Sequence, residues 1–190
     1  MTDEAGFIIK LTNKKYQDEA FKKLLDLYQE RLYWHIRKLV ITHENANDVL
    51  QETFLRVYKS LPNFKQNSTL HTWMYKIAYN ESIRFLENNK KKYYISLDDV
   101  SDKYLDNLME DDYFDGNEIQ LKLQRILSKL PEKQRHIFQL KYYDELKFKE
   151  IEAIIGVNEN TIKTSYYAAV KIIESNIHLV DLHAIENEKY

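Results

Sequence analysis

The scarcity of glycine and proline is the feature that most restricts how this chain of 190 residues can fold. Three Gly and two Pro are too few for the many tight turns that join the strands of a β-sandwich or barrel. Leucine, lysine, glutamate and isoleucine are abundant instead, and that composition favours helices. We therefore predict an all-α chain made of two small helical domains.

The sequence also restricts where the protein works. It contains no cysteine, which excludes a disulfide framework, a cysteine-ligated zinc site and a thiol-based redox switch. No apolar run approaches the ~20 residues that span a bilayer, and residues 1–12 lack the pattern of a signal peptide. We expect a soluble cytoplasmic protein with no membrane partner.

The net charge of −2 conceals an uneven distribution of charge. Between Arg56 and Lys92 the chain is rich in lysine and arginine, and its acidic residues there are Glu81 and Glu87. Residues 93–118 are crowded with carboxylates and lack apolar periodicity. Because like charges repel and little apolar surface is available to bury, this pattern predicts a basic module followed by an acidic, flexible linker.

Helical periodicity predicts three helices before the linker. Apolar residues recur at three- and four-residue spacing over 18–40 and over 46–61, where Pro62 ends the second helix. Thr69 is the predicted N-cap of a third helix that runs to about residue 88. The predicted boundaries are 1–92 for the first domain, 93–118 for the linker, 119–178 for the second domain and 179–190 for a C-terminal tail.

The third predicted helix places four side chains along one strip, at offsets of three, seven and eleven residues. These side chains are Trp73, Lys76, Asn80 and Arg84. Basic groups follow phosphates, and amide and aromatic groups hold unstacked bases, so the strip suits single-stranded DNA. A core role is the alternative for Trp73, which lies in the apolar pattern, and Tyr75 and Tyr79 are divided in the same way.

A helix-turn-helix is predicted in the second domain, after a helix that Pro131 opens in its first turn. Helical patterns over 147–155 and from 159 to about 176 meet at Gly156, which supplies the backbone freedom of a tight turn. The predicted inward residues are Ile162, Tyr166, Ala169 and Ile173, which leaves Lys163, Thr164, Tyr167 and Lys171 facing outward. A cation, a hydroxyl and a ring suit the major groove, and a solvated face is the alternative.

Several segments resemble one known family. They are Asn47–Arg56, Thr72–Asn80, Leu130–Arg135, and Leu146–Val157 with Thr161–Lys163. Their order and spacing resemble regions 2 and 4 of the extracytoplasmic-function (ECF) subfamily of bacterial RNA polymerase sigma factors, over roughly residues 15–178. The resemblance implies a non-catalytic, dissociable specificity subunit that brings core polymerase to promoters and helps to melt them.

The resemblance implies three sets of contacts. The residues for the minus-ten element, held as single-stranded DNA, are Lys65, Asn67, Ser68, Thr69, Trp73, Lys76, Tyr79, Asn80 and Arg84. Those for the minus-thirty-five element, read as duplex, are Lys147, Thr161, Lys163, Thr164, Ser165, Tyr167 and Lys171. Those for docking on the clamp helices of the largest subunit of core RNA polymerase are Asp48, Gln51, Glu52 and Arg56, for which an ordinary solvated face is the alternative. The family also allows an anti-sigma factor as a partner.

One departure from the family concerns the second helix of the helix-turn-helix. Relatives often carry several arginines after the position of Lys163, whereas this chain has Ser165, Ala168 and Val170. Lys163 is therefore the expected main outward cation early in that helix. The resemblance also implies that the acidic linker runs toward the polymerase active-site cleft and the RNA exit path.

Catalysis has little support in the sequence. The six histidines are scattered, and His178 and His183 are five residues apart, so they do not share a helix face as a zinc pair would. Carboxylates crowd a flexible segment, which cannot hold the fixed geometry of acid-base catalysis. We expect no catalytic residue, metal or cofactor. The alternative functions are a two-module helix-turn-helix regulator that acts without polymerase, and an interaction or decoy protein.

Overall fold

The computed structural model describes residues 4–40, 42–93 and 118–187. Within these ranges the chain forms eight α-helices and one short 3-10 turn and contains no strand. The chain divides near residue 93 into two compact units, each of which is described by itself. The prediction of an all-α fold with two small helical domains is confirmed. Nearly all of the predicted linker, 93–118, lies outside the described residues.

The helices agree closely with the sequence periodicity. The first unit contains α1 (Glu4–Thr12), α2 (Gln17–Val40), α3 (His43–Ser60), the 3-10 turn Leu61–Asn63 and α4 (Leu70–Tyr93). The second unit contains α5 (Glu118–Ser128), α6 (Glu132–Tyr142), most of α7 (Phe148–Ile155) and α8 (Glu159–Asn187). α1 was not predicted. The observed helix ends differ from the predicted ones by a few residues, and the difference is larger at the end of α8.

The first unit is a bundle in which α2, α3 and α4 pack against one another, while α1 packs against α2 and the 3-10 turn. Each helix contributes apolar side chains at helical spacing. Fully buried members of this core are Leu24, Leu32, Ile36, Leu61 and Met74. Burial of these stripes leaves the opposite faces of α3 and α4 in solvent, and those faces carry the polar residues considered below.

Side-chain caps fix where α3 and α4 begin. The Thr42 hydroxyl accepts a hydrogen bond from the Asn45 N–H at 3.2 Å. The Thr69 hydroxyl accepts one from the Thr72 N–H at 3.1 Å, which confirms the predicted cap of α4. Such caps satisfy backbone donors that the first turn of a helix leaves unpaired, and each contributes about 1 kcal/mol. The start of α4, and with it the direction of its exposed strip, is therefore set locally.

The second unit has its own apolar core, which α5, α6 and α8 build. Its buried members are Leu127, Leu130, Phe138, Ala169 and Ile173. Pro131 is the N-cap of α6, which begins at Glu132. The sequence predicts Pro131 one position further along, within the first turn of this helix. α8 continues to Asn187, whereas the sequence prediction ended this helix near residue 176. No proline or glycine follows that point to stop the helix.

The predicted helix-turn-helix is present as α7, a short turn and α8. The Glu150 carboxylate accepts from the Lys147 N–H at 2.8 Å and closes the start of α7. Gly156 ends that helix with φ of 75°, a left-handed conformation that residues with a Cβ rarely adopt. The Asn158 side chain then accepts from the Asn160 N–H at 2.9 Å and caps α8. The turn is thus defined by local chemistry at both ends.

Candidate nucleic-acid interface

The strip along α4 is exposed where the sequence predicted polar contacts. Lys76, Asn80 and Arg84 are all exposed, whereas Trp73 is half-buried and packs against Phe64 with ring centroids 4.8 Å apart. Burial decides between the alternatives for Tyr75 alone. Tyr75 is a core residue, 3% exposed, whereas Trp73 and Tyr79 are half-buried, and their contact with DNA stays a prediction.

The loop before α4 lies next to this strip through the contact between Phe64 and Trp73. Lys65 and Asn67 are exposed and Ser68 is half-buried. Thr69 is less available than its exposure suggests, because its hydroxyl oxygen lies 2.9 Å from the Thr72 hydroxyl and also caps α4. The loop therefore offers the lysine, amide and serine groups for contacts with a ligand.

Glu81 is the residue of this region that the sequence analysis missed. Its side chain is 5% exposed, and one carboxylate oxygen accepts from Arg56 Nε at 2.7 Å. The other oxygen contacts Arg84 Nη2. A buried carboxylate is stable only when it is paired and hydrogen-bonded, and these two arginines supply that pairing. The available signal was its position as the lone acidic residue between Arg56 and Arg84.

The outer face of α3 is exposed as predicted. Asp48, Gln51, Glu52 and Arg56 all face solvent, while Val49 behind them is buried. A cleft between α3 and α4 is lined by Asp48, Val49, Glu52, Glu81, Arg84, Phe85 and Asn88. Arg56 and Arg84 therefore meet at Glu81, and Asp48 and Glu52 line one cleft with Arg84. In this way three residues of the predicted polymerase-docking face lie close to Arg84 of the predicted DNA-binding strip.

The predicted recognition helix, α8, presents most of its outward residues to solvent. Tyr167 is 61% exposed, and Thr164 is exposed and donates its hydroxyl proton to the Asn160 carbonyl at 3.0 Å. Lys147, Thr161 and Lys171 also lie at the surface, and Ser165 is half-buried. Ile162, Ala169 and Ile173 are buried and Tyr166 is half-buried, so the predicted inward face of α8 is confirmed, and the predicted outward face is confirmed except at Lys163.

Lys163 differs from the simple outward cation that the sequence suggested. It is half-buried, and its ammonium lies 2.6 Å from Glu159 Oε1. The same ammonium is 5.8 Å from the centre of the Phe148 ring. Glu159 and Lys163 have the i,i+4 spacing that forms helical ion pairs, so this pair was available from the sequence and was not recognised. The role of Lys163 as a phosphate contact stays a prediction, and that contact would have to replace the ion pair.

An aromatic cluster packs against α8. The Tyr166 ring lies 5.6 Å from Phe148 and 5.9 Å from Phe138, centre to centre, and Tyr167 lies 6.3 Å from Phe148. Burial of the Tyr166 ring, with smaller effects of Tyr167 and Tyr142, raises the pKa of its hydroxyl. The contact between Phe148 and Tyr167 places this packed cluster directly beside the exposed Tyr167 side chain.

Among the residues that the structure describes, no group of three or more His, Asp or Glu side chains could hold a metal ion. In the same part of the chain, no helix combines the length and apolarity needed to cross a membrane.

Comparison with known protein families places both units in one family. The model of Sigma-70 region 2 matches residues 24–92, and the model of Sigma-70 region 4 matches residues 120–173. The first match spans α2, α3 and α4, which carry the predicted docking face and strip. The second spans the helix-turn-helix. The two matches follow the order predicted from the sequence.

Relatives and solved structures agree with these matches. The ECF RNA polymerase sigma factor SigW of Bacillus subtilis (strain 168) is 30% identical over 159 residues, which covers 80% of this chain and 85% of SigW. RNA polymerase sigma factor SigV of the same strain is 32% identical over 143 residues, covering 75% of this chain and 82% of SigV.

Two solved structures share the fold. CnrH in complex with the cytosolic domain of CnrY has a TM-score of 0.66 at 16% identity and covers 93% of this chain and 97% of CnrH. The sigma factor RpoE in complex with the anti-sigma factor NepR, from Bartonella quintana, has a TM-score of 0.64 at 19% identity, covering 83% and 96%. Together with the match to most of SigW, the two region matches show that this chain belongs to the ECF family of RNA polymerase sigma factors.

Proposed function

We propose that this chain binds core RNA polymerase in the cytoplasm, recognises minus-thirty-five and minus-ten promoter elements, and promotes DNA melting for transcription initiation. The observation that carries the proposal is the exposed row of Lys76, Asn80 and Arg84 on α4, beside a polar loop and opposite a packed core. Membership in the ECF family supports the same assignment. The chain is a dissociable specificity subunit and carries out no catalysis itself.

The α4 strip and its loop suit a melted minus-ten element. Lys76 and Arg84 supply positive charge for the backbone of a single strand, and the Asn80 amide offers both a donor and an acceptor to a base edge. The half-buried Trp73 offers part of a ring for stacking. A base that leaves the duplex needs a polar pocket, and the exposed Asn67 with Ser68 of the adjacent loop can line it.

The outer face of α3 suits docking on the clamp helices of the largest polymerase subunit. Asp48, Gln51, Glu52 and Arg56 are exposed at helical spacing, so they can contact a partner without any change in the core. Polar and charged contacts of this kind set the register and specificity of an interface. The α3 face therefore acts as the recruiting surface, and α4 beside it acts on the DNA.

The exposed face of α8 suits the major groove of the minus-thirty-five element. Tyr167 offers a ring edge to a thymine methyl group, and Lys171 provides positive charge. Thr164 can accept from a base, or donate to a phosphate once its hydroxyl leaves the Asn160 carbonyl. An anti-sigma factor is a further proposed partner, because RpoE, which shares this fold, was crystallised with one. Such a partner would regulate access to the same surfaces.

Transcription with purified components tests the proposal. Core polymerase of the source bacterium, with and without the chain, is supplied with a library of its own promoter fragments, and transcripts and permanganate-reactive thymines are mapped. We expect transcripts and melting that depend on the chain. DNA binding without any transcript would favour a regulator that acts without polymerase. Polymerase binding that only reduces transcription would favour a decoy protein.

A further inference from the structure

One buried carboxylate connects the two surfaces that the proposed function assigns to different partners. Glu81 Oε1 accepts from Arg56 Nε at 2.7 Å, and Oε2 contacts Arg84 Nη2. Arg56 belongs to the outer face of α3, and Arg84 belongs to the strip on α4. The carboxylate is 5% exposed, whereas the two arginine side chains are 50% and 51% exposed. Each arginine therefore contacts the Glu81 carboxylate and still has half of its side chain exposed to solvent.

This arrangement leaves binding capacity on both arginines. A guanidinium carries five N–H donors in a rigid plane, and the contacts with Glu81 run through Arg56 Nε and Arg84 Nη2. The remaining donors can bind a carboxylate of a protein partner or a phosphate of DNA, with charge-assisted hydrogen bonds. A side chain that is already oriented loses less freedom on binding, and this advantage amounts to about two- to tenfold in affinity.

We propose that Glu81 is a positioning residue for both partners. Its carboxylate orients Arg56 toward core polymerase and Arg84 toward the DNA backbone. This inference rests on the proposed function, and it adds a residue that contacts neither partner. The competing explanation is that Glu81 only ties α3 to α4 and stabilises the bundle. The two explanations differ in what they require of the arginines. Only positioning requires Glu81 to affect polymerase binding through Arg56 and DNA binding through Arg84.

The first measurement compares Glu81→Gln with the unchanged full-length chain. Glutamine keeps the size of the side chain but removes the charge that holds two guanidinium groups. Fluorescence anisotropy measures affinity for core polymerase and, separately, for single-stranded oligothymidylate. We expect both affinities to fall by about two- to tenfold. The control is Glu87→Gln, which removes the same charge from an exposed position of the same helix and should change polymerase affinity little.

Double variants separate positioning from a purely structural role. Adding Glu81→Gln to Arg56→Ala should cause no further loss of polymerase affinity, because Glu81 acts on polymerase through Arg56 alone. The same double variant should still lose affinity for the oligothymidylate. Adding Glu81→Gln to Arg84→Ala should give the reverse pattern. Losses that add equally for both ligands in both pairs would mean a structural role and would overturn the proposal.

A further variant keeps the test decisive if Glu81→Gln folds poorly. Arg56→Lys retains the charge and leaves Glu81 in place, but it lacks the planar fork that is tied at Nε. We expect weaker polymerase binding with unchanged oligothymidylate binding, and wild-type polymerase affinity would contradict the proposal. If the unchanged chain does not bind core polymerase, the proposed function itself fails. If it binds but Arg56→Ala and Arg84→Ala are both silent, only this inference fails.

Discussion

The two units hold their basic side chains in different ways. In the first unit, Arg56 and Arg84 share a carboxylate that is 5% exposed. In the second, Lys163 pairs with Glu159, whose side chain is 35% exposed, on the same face of one helix. A buried pair resists separation because an unpaired charge would remain in a poorly solvated site. A pair whose two side chains both remain accessible to solvent contributes about 0–1 kcal/mol and exchanges readily.

This difference suits the two kinds of DNA contact in the proposed function. Contact with a melted strand needs side chains in fixed directions, and in the first unit Glu81 holds Arg84 in this way. Contact with a duplex backbone needs a cation that can leave its partner within the protein and bind a phosphate instead. The Glu159–Lys163 pair, whose two side chains are both partly accessible to solvent, allows that exchange. The first unit should therefore respond most to changes of shape, and the second to salt.

The largest expected effect follows from removing the Asn80 amide from the strip on α4. Asn80→Ala deletes an exposed side chain and leaves the core volume unchanged. We expect open-complex formation to fall by about tenfold, as for one lost polar contact to a base, with a smaller change in initial duplex binding. Permanganate footprinting and a gel-shift titration provide the two measurements. The amide control is Gln29→Ala on α2, and normal melting by Asn80→Ala would remove Asn80 from the pocket.

A slightly smaller effect should follow from changing the docking face. Asp48→Ala combined with Gln51→Ala removes two exposed side chains of α3 and should weaken core polymerase binding about five- to tenfold. Asp26→Ala with Gln29→Ala is a matched control, since it removes the same two groups at the same spacing from an exposed part of α2. Equal polymerase affinity for both double variants would assign docking to another surface.

In the second unit, two variants should separate charge from shape. Lys163→Ala should weaken minus-thirty-five binding by about fivefold and reduce the salt slope by about 0.9 of a unit, as expected for one lost phosphate contact. Tyr167→Ala should change the preferred sequence more than the salt slope. Titrations over a salt series, on matched and scrambled duplexes, measure both. If neither variant changes affinity or preference, α8 is not the recognition helix.

The smallest expected effect comes from releasing Lys163. Glu159→Gln removes the internal partner of the ammonium and a negative charge near the DNA. We expect duplex affinity to rise by about two- to threefold at low salt and the gain to shrink as salt screens the charge. Glu174→Gln, at an exposed position of the same helix, is the control. An unchanged affinity would show that the ion pair does not compete with phosphate.

Local patterns accounted for much of the fold and part of the candidate site. The periodicity of α2, α3 and α4, the cap at Thr69 and the turn at Gly156 all depend on neighbouring residues, so they could be predicted from the sequence. The exposure of Lys76, Asn80 and Arg84 followed from the same periodicity. These features need no knowledge of how distant segments meet.

Contacts between distant segments could not be predicted in this way. Glu81 meets Arg56 only because α3 packs against α4, and helical spacing alone does not reveal which charged residues face each other across two helices. The ring cluster of Phe138, Phe148 and Tyr166 depends likewise on how α6, α7 and α8 come together. The Glu159–Lys163 pair is different, because its spacing was visible, and its omission made Lys163 look like a simpler cation than it is.

The backbone conformation of Gly156 determines which other residues could replace it in the turn. A Cβ built at this position meets nothing within 4 Å, so the site has room for a side chain, and its φ of 75° alone opposes an L-residue. A mirror-image residue reverses that preference. D-alanine, introduced by chemical ligation, should fit the turn and stabilise it by about 0.4–1 kcal/mol, because it restricts the unfolded chain. The handedness of a single Cα, and no packing contact, therefore determines which residues can join the two helices.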